Sequence, residues 1–177
     1  MRRILFLPLV FTAALVPLAG AQDSASRPDA DLRAHLFQRD RDLIQMLVEG
    51  GLRLAAADDA LERAECCSGV AERLATALQQ AAVNQEKGRV AELGVHLRAL
   101  LETGVAANLS TARRQIPIGS TLEKNLRAVR DRTTHLLEPL EVQLLRVTDP
   151  EDTIQHTLRA LQVGRTEVEK AFDDPSR

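Results

Sequence analysis

The chain has 177 residues, of which 45% are hydrophobic, 27% charged and only 2% aromatic. Its 23 basic and 25 acidic residues leave a formal charge of −2 at pH 7. That length suits one domain, and an aliphatic, nearly aromatic-free composition favours helix-on-helix packing over a β-sandwich. The charges are interspersed, with no basic stripe and no aromatic platform, which argues against nucleic acid as a partner.

The N-terminus has the three parts of a secretory signal. Arg2 and Arg3 supply the positive region, and Ile4 to Leu18 an apolar run interrupted by Pro8 and Pro17. Ala19-Gly20-Ala21 supplies a small-x-small cleavage pattern, so cleavage is expected between Ala21 and Gln22. The apolar run is short of the ~20 residues a membrane span needs. The expected product is a secreted or periplasmic protein with no stable membrane insertion. Without Arg2 and Arg3 it carries 21 basic against 25 acidic residues, a net of −4.

Residues 22–28 are polar and read as a disordered lead-in to a single helical domain over 29–177. Helical spacing of Leu32, Leu36, Leu43, Leu47 and Leu54 predicts a first helix starting near Asp29–Asp31, continuous but weakened at Gly50-Gly51. Asp58-Asp59 marks a restart, with Asp59 and Glu62 at capping-box spacing. Leu61, Ala64, Cys67, Val70, Ala71, Leu74, Leu78 and Ala81 then mark one face of an Ala-rich helix. A turn is expected at Asn84–Gly88, with Gly88 in or beside it. Val90, Leu93, Leu97, Leu100, Leu101, Val105 and Leu109 mark the returning helix.

Pro117 and Gly119 make the clearest break, and Ser120 with Glu123 forms an S-x-x-E capping box after it. Leu122, Leu126, Val129, Thr133, Leu136, Leu140, Leu144 and Val147 follow at nearly heptad spacing. Pro139 should kink or divide that helix. Asp149 as N-cap and Pro150 as the first helical residue open a last helix, whose stripe is Ile154, Leu158, Leu161, Val168 and Phe172. The expected fold is all-α: an antiparallel up-and-down bundle of four to five helices, preceded by a cleavable signal peptide.

Residues with chemistry are few. Cys66 and Cys67 are adjacent, so their side chains diverge by about 100° on a helix, and the C-x-x-C redox spacing is absent. Folding the helices back places them level with Gly50 and Ala107–Asn108, a small-residue layer that favours packing over ligation. His35, His96, His135 and His156 include no H-x-x-x-H pair. The same exercise brings all four within about 10 Å along the bundle axis, the one arrangement that points to a metal- or proton-responsive layer. Asn108-Leu109-Ser110 matches a glycosylation sequon. No phosphate loop, nucleophile elbow or EF-hand loop occurs, so no catalytic residue and no cofactor are expected.

A leader followed by charged helices is similar in plan to the small periplasmic helical sensors and chaperones of envelope-stress systems, although their recurrent L-T-x-x-Q motif does not occur here. The expected role is non-catalytic: contact with a protein partner, or self-association as a homo-oligomer, through an aliphatic helix face. The alternative is a metal- or redox-responsive envelope sensor using the histidines or the Cys66/Cys67 pair.

Overall fold

A computed structural model describes residues 27–147 and 152–173, with backbone only at 27–37, 39 and 173. All regular structure among them is helical. The leader Met1–Ala21, its cleavage point and the lead-in as far as Ser26 lie outside the described residues. Helix α1 spans Arg27–Ala56, α2 Ala60–Val83 and α3 Lys87–Ala99. A π-helical segment, Leu100–Ala106, joins α3 to α4 (Ala107–Gln115). Helices α5 (Thr121–Arg146) and α6 (Thr153–Asp173) complete the chain. Contacts divide it after Phe37, and the unit Gln38–Arg177 carries the bundle.

The helix ends follow local chemistry. Helix α1 starts two residues before Asp29 and runs unbroken through Gly50-Gly51, so Arg27 and Pro28 belong to its first turn rather than to a lead-in. Proline is tolerated there because its missing N–H has no intrahelical partner to lose. Asp59 caps α2 by accepting from the Glu62 N–H at 2.8 Å. The reciprocal Glu62 carboxylate accepts from the Asp58 N–H at 2.9 Å, one residue earlier than an ideal capping box. The turn after α2 is made by Gln85 and not by Gly88, which lies inside α3. Gln85 has φ 58°, its N–H donates to the Ala82 carbonyl, and the Glu86 N–H donates back to the Ala81 carbonyl. That is a Schellman closure with a glutamine in the left-handed place usually held by glycine. Ser120 accepts from the Glu123 N–H at 3.1 Å, while the Glu123 carboxylate accepts from the Gly119 N–H.

Three expectations about the later helices change. Pro139 does not divide α5. It stands on the exposed side, where the carbonyl it leaves without a partner can reach water. The buried seam of α5 uses Glu123 and Leu137 where Leu122 and Leu136 were expected; Leu122 is exposed and Leu136 half-buried. Helix α6 begins at Thr153, with the carbonyl of Asp152 accepting from the His156 N–H. Asp149, Pro150 and Glu151 lie outside the described residues.

The core is aliphatic. Leu78, Leu97, Leu101, Leu126, Leu140 and Leu161 are among its fully buried side chains. Helix α2 packs on α3 and α5, and α6 packs on α3 and α5, so α3 and α5 face each other across a diagonal. Thr157 approaches Gly94 and Leu101 approaches Gly164, each pair 63 residues apart, so α3 and α6 run in the same direction. Ser68 bonds to Thr133 and Gln79 to Gln143, so α2 and α5 also run together. Short connections therefore reverse successive helices, as expected, but two of the four packed pairs are parallel. The reason is the α4–α5 connection, which carries the chain to the diagonal position.

The π segment keeps α3 and α4 in register with the core. Leu93, Leu97, Leu101, Val105 and Leu109 recur at strict four-residue steps, and all are buried. In an α-helix each such step overshoots a full turn by about 40°, so four of them would carry the stripe about 160° around. A segment with more residues per turn removes that drift.

Close approach of α6 to α3 and to the π segment depends on two glycines. A Cβ built at Gly94 would lie 2.5 Å from Thr157 Cγ2, and one at Gly164 3.2 Å from Leu101 Cβ. Gly94→Ala should destabilise the protein by about 1–3 kcal/mol through overpacking. Gly69→Ala, where a Cβ meets open space, should raise stability by up to about 1 kcal/mol. Urea denaturation of both variants checks the opposite signs.

Candidate interaction face and polar clusters

Helix α1 presents apolar residues in two directions. Leu43 and Leu54 pack against the bundle core, and Gly50 sits directly on Val70 of α2. Asp40 pairs with Arg89 of α3 and fixes the helix along its length. On the other side Ile44, Val48 and Leu52 are 60%, 57% and 67% exposed. Their four-residue spacing places them on one stripe. Gly51 and Ala55, both exposed, continue it with small side chains. Beside the stripe, Ile44 and Leu47 line a groove of about 460 Å³ whose far wall is Leu93, His96 and Leu100 of α3 and the π segment. The groove is mainly apolar, with Asp40, Arg89 and Glu92 at its margin.

The cysteines are both free thiols. Cys67 is buried with Sγ 3.1 Å from the place of a Cβ on Gly104, which makes this a close contact between α2 and the π segment. The expected layer is thus present but displaced by about one turn: Cys67 meets Gly104 instead of Ala107, and Gly50 meets Val70 instead of Cys66. Burial, together with the neighbouring Cys66, pushes the Cys67 thiol above its ordinary pKa, which lowers its thiolate content. Cys66 is half-buried and opens into a polar groove with Met46, Glu49, Arg53, Arg73 and Arg132.

The histidines do not form a common layer of inward-facing rings. His96, His135 and His156 are all exposed, and His135 Nδ1 lies 3.5 Å from Glu138 of its own helix. The backbone of His35 belongs to α1, and its side chain lies outside the described residues. Among the described residues no three His, Cys, Asp or Glu side chains gather as a metal site. The amide of Asn108 donates to the Gly104 carbonyl at 2.7 Å. The folded sequon therefore has its nitrogen committed to the backbone of the π segment.

Sequence reasoning missed two polar clusters. At the junction of α4, α5 and α6, the buried Phe172 ring lies within 5.2, 5.0 and 4.5 Å of the guanidinium carbons of Arg113, Arg127 and Arg130. Arg127 and Arg113 also reach Glu123 at 2.9 and 3.4 Å. One carboxylate thus holds two of the arginines above an aromatic face, a favourable cation–π arrangement. The Gly119 N–H and then the Arg127 side chain hold the Glu123 carboxyl below the usual carboxylate range. The second cluster joins α5 to α6. Arg165 reaches Glu141 at 3.0 Å, yet burial pushes the Glu141 carboxyl above its ordinary value. Glu138 and Glu169 push it the same way, and Arg165 opposes them. A capping-box glutamate followed four residues later by arginine was the visible sign of the first cluster.

No protein-family model, curated protein or solved structure matches this chain. The chemistry of its residues and their placement therefore carry the functional reading alone.

The two carboxyls have opposite linkage. A lowered folded-state pKa means that Glu123 stabilises the fold at neutral pH and loses that contribution as pH falls through its folded value. A raised one means that Glu141 weakens the fold as pH rises past the ordinary carboxylate value. Glu123→Gln should lower the melting temperature at neutral pH and flatten its fall on acidification. Glu141→Gln should remove the decline on the alkaline side of about pH 4.3, the ordinary glutamate value. Thermal melts across the acid range read both slopes.

Proposed function

We propose that the protein is an exported, non-catalytic helical bundle that works by contact with another protein surface, and that the outward face of α1 makes the contact. The observation that carries this reading is the exposed stripe Ile44, Val48 and Leu52 on a helix whose opposite face is already packed. A contiguous apolar face of that kind marks an interaction surface more often than a solvated one. Export rests on the basic, apolar and small-x-small parts of residues 1–21. An up-and-down arrangement of helices with short turns suits such a role, since it holds α1 on a rigid frame.

The sensor alternative would work through Cys66, the thiol that opens into the groove beside Arg53 and Arg73. No placement of the histidines favours it.

The test is a photo-reactive benzoyl-phenylalanine at Leu52, expressed in a host that exports the protein. Illumination should give a covalent adduct of discrete mass, and an added Val48→Asp substitution should abolish it. The same probe at Thr76, exposed on α2, should give none. Absence of any discrete adduct from Leu52 would overturn the reading.

A further inference from the structure

Helices α5 and α6 bring three carboxylates to one guanidinium. Arg165 of α6 lies 3.0 Å from Glu141 of α5 and 3.8 Å from Glu169, one turn on in its own helix. Glu138 stands one turn before Glu141 on α5, and its charge acts on Glu141, as does that of Glu169. One cation does not balance three such groups, and neighbouring like charges favour keeping a proton on one of them.

Burial decides which one. The Glu138 and Glu169 side chains are 59% and 50% exposed, and that of Glu141 only 12%. One oxygen of Glu141 accepts from Arg165, while Oε1 is buried and accepts no hydrogen bond among the described residues. A buried, ionised oxygen without a donor is unfavourable, and a neutral carboxyl is less so. No charge from the other neighbouring helices offsets the excess. Helix α2 meets α5 through the uncharged pairs Ser68–Thr133 and Gln79–Gln143. Helix α3 and the π segment meet α6 where Gly94 faces Thr157 and Gly164 faces Leu101. Arg113 of α4 sits at Glu123, about 27 Å away along α5 at 1.5 Å per residue.

We propose that the α5–α6 seam is a proton-operated fastening: a proton held on Glu141 seats the second half of α6 on α5, and its loss lets residues 165–172 leave more often. Gly164 makes that half separable, because glycine is a poor helix-interior residue and lies immediately before Arg165. Once Glu141 is neutral, Arg165 keeps Glu169 as its partner, and the seam holds no buried carboxylate. Val168 and Phe172 are buried, so departure is a brief local opening and not a second resting state. In the open state Glu141 meets water and ionises at the ordinary glutamate value. In the seated state it holds its proton to a higher pH. Seating is therefore complete below about pH 4.3 and weakens as pH rises through the seated value.

Hydrogen exchange of the purified protein, followed by mass spectrometry from about pH 4 to 8 and corrected for intrinsic rates, measures the opening. Amides of residues 165–172 should lose protection about tenfold per pH unit above the ordinary glutamate value, then level off. They should remain less protected than those of 71–82 in α2, which open only with the whole molecule. Glu141→Gln should make their protection independent of pH across that range. Glu169→Gln removes a like charge and should move the levelling to lower pH. Arg165→Met removes the cation and should move it to higher pH. The carbon-13 shift of the Glu141 carboxyl reads the same value directly.

Residues 165–172 as well protected as 71–82 at every pH would overturn the proposal, because the opening would then be that of the whole protein. So would a pH dependence that survives Glu141→Gln, or a Glu141 carboxyl titrating at or below the ordinary value. Opposite displacements from Glu169→Gln and Arg165→Met support it, and displacements of the same sign, or none, overturn it.

Discussion

Two helices can approach as closely as α3 and α6 do only where one member of each facing pair has almost no side chain. Gly94 meets Thr157, Gly164 meets Leu101, and on the adjoining side Gly104 meets Cys67. These contacts determine more than distance. Because Thr157 and Leu101 must each enter a gap left by a glycine, sliding α6 by one turn would drive both into backbone or larger neighbours. The parallel register of the two helices is therefore specified sterically, and the buried Leu97, Leu101 and Leu161 fill the space around it.

The polar groups of the core act in the same sense. Thr133 donates its hydroxyl hydrogen to the Val129 carbonyl at 2.8 Å, so in its bond with Ser68, also 2.8 Å, it is the acceptor. Both hydroxyls are buried, and Ser68 without Thr133 would leave its hydroxyl unsatisfied at a cost of about 1–3 kcal/mol. The pair sets α5 against α2 as the glycines set α6 against α3. At the end of the bundle, Glu123 ties the start of α5 to Arg113 of α4, and the same arginines cover Phe172 of α6. The consecutive helices α4 and α5 and the C-terminal helix α6 are held there by one carboxylate and one ring.

Much of this architecture was legible wherever the cause is local. The Asp59 and Ser120 caps, the break at Pro117 and the stripe of α6 follow from side chains acting on backbone within four residues. Levels between helices were not legible to the same precision. The turn after α2 falls at Gln85 and not nearer Gly88, so the returning helix reaches the level of Cys67 earlier, at Gly104 and not Ala107. The sign of the π segment was present in the unbroken four-residue spacing from Leu93 to Leu109, which no straight α-helix could keep on one side. Leu136 and Leu137 differ by about 100° around α5, and only the position of α6 decides which is buried. The four histidines show the limit most clearly: being level along an axis says nothing about facing a common interior, and the three with described side chains point to solvent.

Helix α1 shows why function was harder to read than fold. Leu43, Leu47 and Leu54 form the stripe that a bundle requires, and once they account for the helix the remaining apolar residues look incidental. Yet Ile44, Val48 and Leu52 repeat at the same helical spacing on another face. Among the described residues, the bundle packs one of these stripes and leaves the other exposed. The opposite case is α5, where Leu122, Val142 and Leu145 are exposed without forming a line as regular as that of α1. Scattered exposure of that sort is normal for a folded surface. What distinguishes α1 is periodicity on the uncovered side, because periodic placement aligns side chains along a length that another helix can cover.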